Sequence, residues 1–155
     1  MKIEIGIKEK DRKNVAEGLG RVLAETYTLM LKTQNFHWNV TGPHFQQLHL
    51  LFMTHYDQLA LAVDAVAERI RSLGEFAPGS YSQFSKLATI KEETGVPEWA
   101  DMVKQLAKGH ETVAKVAREV LTMAQDAKDE ATVELMTGRM AEHEKTAWML
   151  RSHIE

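Results

Sequence analysis

Two histidines and two carboxylates in the first half of the chain have the residue types of a metal site. His37 and His49 lie on either side of the turn sequence NVTGP, and Asp64 and Glu68 stand one helical turn apart further along. Imidazoles and carboxylates with open coordination positions suit Fe(II) better than zinc, which prefers a closed tetrahedron in structural sites. The spacing alone leaves a second interpretation open, in which the histidines are ordinary helix residues and the acids a solvated face.

One chain cannot bring these four residues together. Residues 43–73 have the pattern of one unbroken helix, and His49 and Asp64 lie roughly 22 Å apart along it at about 1.5 Å per residue. If all four bind the same ions, half of the site must come from a neighbouring chain. The acids lie on the face turned away from the apolar stripe of this helix, and the same face also carries Leu50, Met53 and Leu61. This face is therefore predicted to form a subunit interface.

Apolar residues at helical spacing predict four long helices and a short one. The predicted segments are 14–38, 43–73, 80–88, 97–124 and 129–154. The chain is expected to be all-α: a four-helix bundle with a short extra helix in the connection between the second and third long helices. That connection is long enough to cross the bundle's length. Residues 1–155 form a single domain, and residues 1–13 an N-terminal arm.

The inward stripes of these helices define the expected core. His110 and His143 fall on the stripes of the last two helices and are predicted to be hydrogen-bonded core residues. The predicted stripe of the second helix consists of Phe45, Leu48, Phe52, Leu59, Val63, Val66, Ile70 and Leu73.

Composition excludes several classes of protein. The 155 residues carry a net charge of −3, which gives no overall attraction to nucleic acid, and no cysteine, which excludes disulfides and thiolate metal sites. No apolar run is long enough for a membrane span, and the first residues lack the apolar stretch of a signal peptide, so a cytoplasmic protein is expected. The arm mixes five basic with three acidic residues, whereas a DNA-binding arm is normally more one-sided. It is expected to be solvated and partly mobile.

A carboxylate-bridged di-iron centre inside the bundle would need the Glu-x-x-His motif. That motif is absent, because no histidine has an acid three residues before it. The residues at those positions are Gln34, Thr41, Gln46, Phe52, Ala107, Met140 and Leu150.

The stretch HWNVTGPHFQQLHLLF, followed by YDQLALAVDAVAERIRSLG, resembles the signature of the Dps family of ferritin-like mini-cages. The resemblance extends over the whole chain and implies a ferritin-like bundle that assembles into a hollow dodecamer. It also implies ferroxidase centres at two-fold interfaces, each with two iron ions, Fe(II) or Fe(III). His37 and His49 would come from one subunit, and Asp64 and Glu68 from the other.

The implied activity is oxidation of Fe(II) by hydrogen peroxide or oxygen, with ferric mineral stored in the cavity and DNA protected from oxidative damage. Trp38 would either intercept stray oxidising equivalents or simply pack at the helix end. Many members of the family have a further carboxylate where this chain has Met53, so weaker binding of the second iron is expected. The resemblance also implies iron-entry pores formed by acids near the start of the last helix, here Asp126, Asp129, Glu130 and Glu134. In the alternative interpretation, these acids only complement the dipole of that helix.

Two further functions remain open. The chain could be chiefly a DNA-compacting stress protein with weak ferroxidase activity, associated with the nucleoid, although the mixed charge of the arm does not support DNA binding. It could instead be a helical assembly protein with a vestigial site, a hypothesis motivated by Met53.

Overall fold

The computed structural model describes residues 1–155 and contains five helices and no strand. The helices are α1 (Glu9–Asn39), α2 (Phe45–Ser72), α3 (Tyr81–Leu87), α4 (Trp99–Asp126) and α5 (Glu130–Arg151). The predicted all-α bundle with a short extra helix is confirmed, and the second, third, fourth and fifth helices begin and end close to the predicted positions. None of these helices has the length and apolar character needed to cross a membrane.

The four long helices are arranged so that α1 packs antiparallel to α2 and to α4, and α4 packs antiparallel to α5. The connection between α2 and α4 runs from one end of the bundle to the other. At its start, the Leu73 carbonyl accepts a hydrogen bond from Arg12 near the beginning of α1, and at its end the Trp99 ring lies 4.4 Å from that of His44 at the start of α2. The predicted crossing of the bundle's length is confirmed.

Hydrogen bonds to one buried carboxylate on α1 hold this connection against the helix. The side chain of Glu25 is 1% exposed and accepts hydrogen bonds from the Thr89 main chain and hydroxyl and from the Ile90 main chain, at 2.6 to 3.0 Å. Three donors compensate a charge that would otherwise be costly to bury. Ser80 caps the start of α3, because its hydroxyl accepts a hydrogen bond from the Gln83 main chain.

The start of α1 differs from the prediction. The helix begins at Glu9 rather than near Asn14, so the last part of the predicted arm is helical. Arg12 is buried and its Nη1 donates to the Leu73 carbonyl at 2.7 Å, which ties this turn to the end of α2. Lys13 pairs with Glu9 one turn earlier. A partner 61 residues away in sequence stabilises a turn that has no apolar periodicity of its own.

The core is one continuous cluster drawn from all five helices. The residues that helical spacing predicts for the inward stripes of α4 and α5 are all buried or half-buried: Trp99, Met102, Val103, Leu106, His110, Val113, Ala117, Val120, Leu121 and Ala124 on α4, and Val133, Met136, Met140, His143, Ala147, Leu150 and Ile154 on α5 and just after it. Gly18 allows the close approach of α1 to α4, because a Cβ at that position would lie 2.9 Å from Val120 Cγ2. On the stripe of α2 one prediction is wrong: Phe45 is exposed instead of buried.

Candidate metal centre

His37, in the last turn of α1, and His49, in the first turns of α2, lie against each other across the α1–α2 turn. Their ring centroids are 3.8 Å apart and their planes differ by 15°. His37 is buried and His49 half-buried, so the pair sits at the edge of the core. The proximity that the turn sequence predicts is therefore present within one chain.

Reciprocal hydrogen bonds fix the orientation of both rings. The Nδ1 of His37 lies 2.6 Å from the His49 carbonyl oxygen, and the Nδ1 of His49 lies 2.8 Å from the His37 carbonyl oxygen. A carbonyl can only accept, so Nδ1 is the donor in each ring, and a neutral ring then has its lone pair on Nε2. Neither Nε2 atom has a partner within the chain. Metal-binding histidines in proteins are typically held in this way, with one nitrogen fixed and the other free to coordinate.

Two aromatic rings hold the histidine pair from either side. Phe45 stacks on His49 with centroids 5.1 Å apart, and Tyr56 meets His37 edge-on at 5.2 Å. The exposed position of Phe45 follows from this contact, because its ring packs on the imidazole of His49 and not in the core. These contacts restrict the rotation of both imidazoles.

Asp64 and Glu68 do not join the histidines. Both are exposed on α2, and neither carboxylate has a hydrogen bond or an ion pair within the chain. No group of three or more histidine, aspartate and glutamate side chains in one chain is arranged to hold a metal ion. A single chain thus presents two separate halves of the predicted ligand set, the imidazoles at one place and the carboxylates about four helical turns away.

The outer face of α2 carries exposed apolar side chains along its length. Leu61, three residues before Asp64, is 75% exposed, and Leu50 and Met53, near His49, are also exposed. Exposed apolar side chains along a helix face that also carries unpaired acids are typical of a surface that a partner covers. Met53 follows His49 by one helical turn and supplies no oxygen ligand there.

Trp38 points away from the histidine rings. It is 62% exposed and lines a groove of about 540 Å³ between α1 and the segment that includes α3, together with residues such as Leu31, Asn35 and Thr94. It makes no ring contact with His37 or His49.

The four acids proposed for a pore differ in their surroundings. Asp129 is 2% exposed; its carboxylate caps α5 by accepting from the Thr132 main chain and pairs with Arg69 at 2.6 Å. The Asp129 carboxylate therefore already has hydrogen-bond and ion-pair partners within the chain. The other three, Asp126, Glu130 and Glu134, are exposed.

A second histidine cluster lies inside the bundle. The Nδ1 atoms of His110 and His143 are 2.8 Å apart, which confirms that both are hydrogen-bonded core residues, and the ring of His55 lies 5.8 Å from that of His110. Burial lowers the pKa of His55 to about 4 and that of His143 to about 3, and it lowers the pKa of His110 well below its ordinary value. His55 was not predicted to be in the core, although its spacing from Phe52 and Leu59 places it on the inward stripe of α2.

The chain is similar along almost its whole length to several known proteins. The sequence pattern of the ferritin-like domain matches residues 16–155. A low temperature-induced protein of Nostoc sp. is 42% identical over 156 residues, which cover 99% of this chain and 87% of that protein. The DNA protection during starvation protein 2 of Bacillus anthracis is 33% identical over 142 residues, with 92% and 97% of the two chains covered.

Among solved structures, a Dps protein from Vibrio cholerae O1 superposes with a TM-score of 0.95 at 31% sequence identity. The match covers 99% of this chain and 96% of that one. That protein is described as a member of a broad superfamily of ferritin-like diiron-carboxylate proteins.

Proposed function

The chain belongs to the Dps family of ferritin-like proteins, a family of iron-storage and DNA-protection proteins, and we propose that it is a ferroxidase whose iron sites lie between subunits. Iron is its substrate and cargo. The oxidant is hydrogen peroxide, with oxygen as the slower alternative. The ferric product is stored in a hollow dodecamer in the cytoplasm.

The observation that carries the proposal is the orientation of His37 and His49. Both rings have their Nδ1 atoms occupied by main-chain carbonyls and their Nε2 atoms free. Fixed imidazoles with one free nitrogen lower the entropic cost of binding a transition-metal ion. An ordinary core or surface histidine needs no such reciprocal arrangement.

A second copy of the chain supplies the carboxylates. Asp64 and Glu68 are exposed and unpaired, on a helix face that also carries exposed apolar residues, as expected of groups that become buried in an interface. In a two-fold interface the same patch occurs on both subunits, so the histidines of each chain meet the acids of the other. Two equivalent sites then form in each dimer.

The chemistry requires two iron ions at one site. Two Fe(II) ions and one hydrogen peroxide give two Fe(III) ions and two hydroxide ions, so the O–O bond breaks with both electrons delivered together and no hydroxyl radical is released. The protein contributes the position and charge of the ligands, and the iron contributes the redox change. With Met53 in place of a further carboxylate, fewer protein oxygens are available to the second ion, and that ion binds more weakly.

Trp38 and the exposed acids have secondary roles in this proposal. Trp38 would donate an electron to a stray oxidant, from its position in the groove beside α1 and without ring contact to His37. Asp126, Glu130 and Glu134 are exposed near the start of α5 and are suited to guide Fe(II) toward the interior. The buried ion pair of Asp129 with Arg69 makes Asp129 the weakest candidate of the four for direct contact with iron.

DNA compaction is less well supported as the main function. In the N-terminal arm, Lys2 pairs with Glu4, Lys13 pairs with Glu9, and Arg12 is buried. Because these contacts occupy three of its five basic residues, the arm offers little free positive charge to phosphate groups.

Subunit complementation tests the shared site. One variant carries His37→Ala and His49→Ala, the other Asp64→Ala and Glu68→Ala, and the two are mixed after dissociation and reassembled. Stopped-flow absorbance follows the oxidation of Fe(II) by peroxide and by air. Each variant alone should be inactive, whereas the mixture should recover part of the peroxide-dependent rate, because some interfaces then combine intact histidines with intact acids.

Two results would contradict the proposal. If both halves of the site lie on one chain, the mixture stays inactive although the mixed particle assembles normally. If the wild-type protein does not accelerate Fe(II) oxidation at all, the molecule is a binding or structural protein. A mixture of wild type with either variant serves as the control for reassembly.

A further inference from the structure

The interior cluster of His55, His110 and His143 has the composition of a transition-metal site. Three neutral imidazoles are a common ligand set for zinc and other divalent ions, and the low pKa values of these histidines keep them unprotonated at neutral pH. A cavity of about 20 Å³ adjoins the cluster. The cluster lies apart from His37 and His49, and nothing in the proposed ferroxidase reaction uses it.

Arg139 determines which nitrogen atoms of the cluster carry protons. Its Nη2 lies 3.1 Å from His143 Nε2, and a guanidinium can only donate, so that nitrogen accepts. A neutral His143 then carries its proton on Nδ1 and donates it to His110 Nδ1 at 2.8 Å. His110 must in turn carry its proton on Nε2. One hydrogen bond from Arg139 thus determines which nitrogen carries the proton first in His143 and then in His110.

This proton arrangement turns N–H groups toward the cavity. His110 Nε2 and Arg139 Nε are buried and have no hydrogen-bond partner, and both residues line the cavity. His55 Nδ1, also buried and without a partner, belongs to the same lining. A metal ion needs lone pairs, whereas two of these three atoms are obligatory donors, and the guanidinium adds a positive charge beside the cavity.

We propose that Arg139 is a specificity-determining residue that makes the three-histidine cluster reject divalent metal ions. The cavity that it leaves, which Glu142 also lines, suits a hydrogen-bond acceptor of about the size of water that can receive bonds from His110 Nε2 and Arg139 Nε. Metal ions that enter the molecule are thereby excluded from the bundle interior. This inference concerns the cluster itself and does not depend on the ferroxidase activity.

Cobalt(II) binding tests the inference, because a nitrogen-ligated tetrahedral cobalt ion has strong visible absorption and an oxygen-ligated ion has little. The background is a variant without the four proposed ferroxidase ligands, with His37→Ala, His49→Ala, Asp64→Ala and Glu68→Ala. On this background we compare Arg139 with Arg139→Met, which removes charge and donors, and with Arg139→Lys, which retains the charge. Arg139→Gln is a second neutral variant in case Arg139→Met does not fold, and circular dichroism and particle size check assembly.

The background protein should show no visible cobalt band. Arg139→Met or Arg139→Gln should acquire a band that saturates at one cobalt per chain, with affinity raised at least tenfold, and His110→Asn added to the same protein should abolish it. Arg139→Lys should resemble the background. The proposal is overturned if the background already gives a band that depends on His110, since the native cluster would then be a metal site. It is equally overturned if the folded neutral variants bind no more cobalt than the background.

Discussion

The rings of His37 and His49 are each held by the main-chain carbonyl of the other residue, at 2.6 and 2.8 Å. The hydrogen bond that orients one ring therefore does not depend on the other side chain. Replacing either histidine removes one ligand and the 3.8 Å stacking contact but leaves the acceptor for the remaining ring in place.

Single replacements of these histidines should accordingly leave a weakened site, and the double replacement should remove it. His37→Ala and His49→Ala are each expected to lower the rate of peroxide-dependent Fe(II) oxidation by roughly 10- to 100-fold, while the double variant falls to the protein-free rate. Stopped-flow absorbance at limiting iron measures this. If either single variant is already as inactive as the double variant, the remaining ring is not independently oriented.

Replacing Met53 by an acidic residue is expected to strengthen iron binding. Met53→Asp places a carboxylate one turn after His49 on α2 and should strengthen binding of the second Fe(II) ion on the order of tenfold, because the hard oxygen ligand adds charge next to the two imidazoles. Anaerobic Fe(II) titration should then show two tight ions per site where the wild type shows one tight and one weak. Met53→Leu, which preserves the apolar volume, is the control. Equal titration curves for all three proteins would show that position 53 does not reach the metal.

The ion pair of buried Asp129 with half-buried Arg69 should contribute to stability rather than to iron entry. Asp129→Ala removes the cap of α5 and leaves the guanidinium of Arg69 with one partner fewer, which should reduce the free energy of unfolding by about 3 kcal/mol. Guanidinium chloride unfolding at fixed protein concentration measures the change. Glu134→Ala, an exposed acid on the same helix, should stay within about 0.5 kcal/mol of wild type. Similar losses in the two variants would contradict a special role for the buried pair.

The interior histidines should make the folded protein less stable in acid. The pKa of His55 is lowered to about 4 and that of His143 to about 3 in the folded protein. In the unfolded chain both have the ordinary pKa near 6.5, so the unfolded chain binds more protons than the folded protein below that pH. The free energy of unfolding should therefore decrease as pH falls from about 6.5 toward 4, by up to about 1.4 kcal/mol per pH unit for each histidine.

Urea unfolding at several pH values between 7 and 4.5 measures this slope. His55→Gln removes one of the titrating groups and should make the slope shallower, even if the variant is less stable at pH 7. An unchanged slope in this variant would mean that His55 is not held neutral by the fold.

Helical periodicity accounts for most of what could be predicted about the fold. Apolar spacing located the helices and the core stripes of α4 and α5, including the buried positions of His110 and His143, because a helix has to turn its apolar side inward. The start of α1 was missed since its first turn is charged and is stabilised by a contact between Arg12 and the distant Leu73 carbonyl. Phe45 was misplaced because it stacks on His49, and such a contact leaves no trace in periodicity.

The order of the residues was sufficient to predict the five helices, the separation of the histidines from the acids along α2, and the resemblance to the Dps family. Rise per residue and facing are local properties of a helix, so they follow from spacing alone. Three features follow only from the packing of the helices: the reciprocal bonds of His37 and His49, the ion pair of Asp129 with Arg69, and the proton arrangement that Arg139 imposes on the interior histidines. These depend on which side chains of different helices meet and in which direction each hydrogen bond runs, and a one-dimensional pattern does not contain that information.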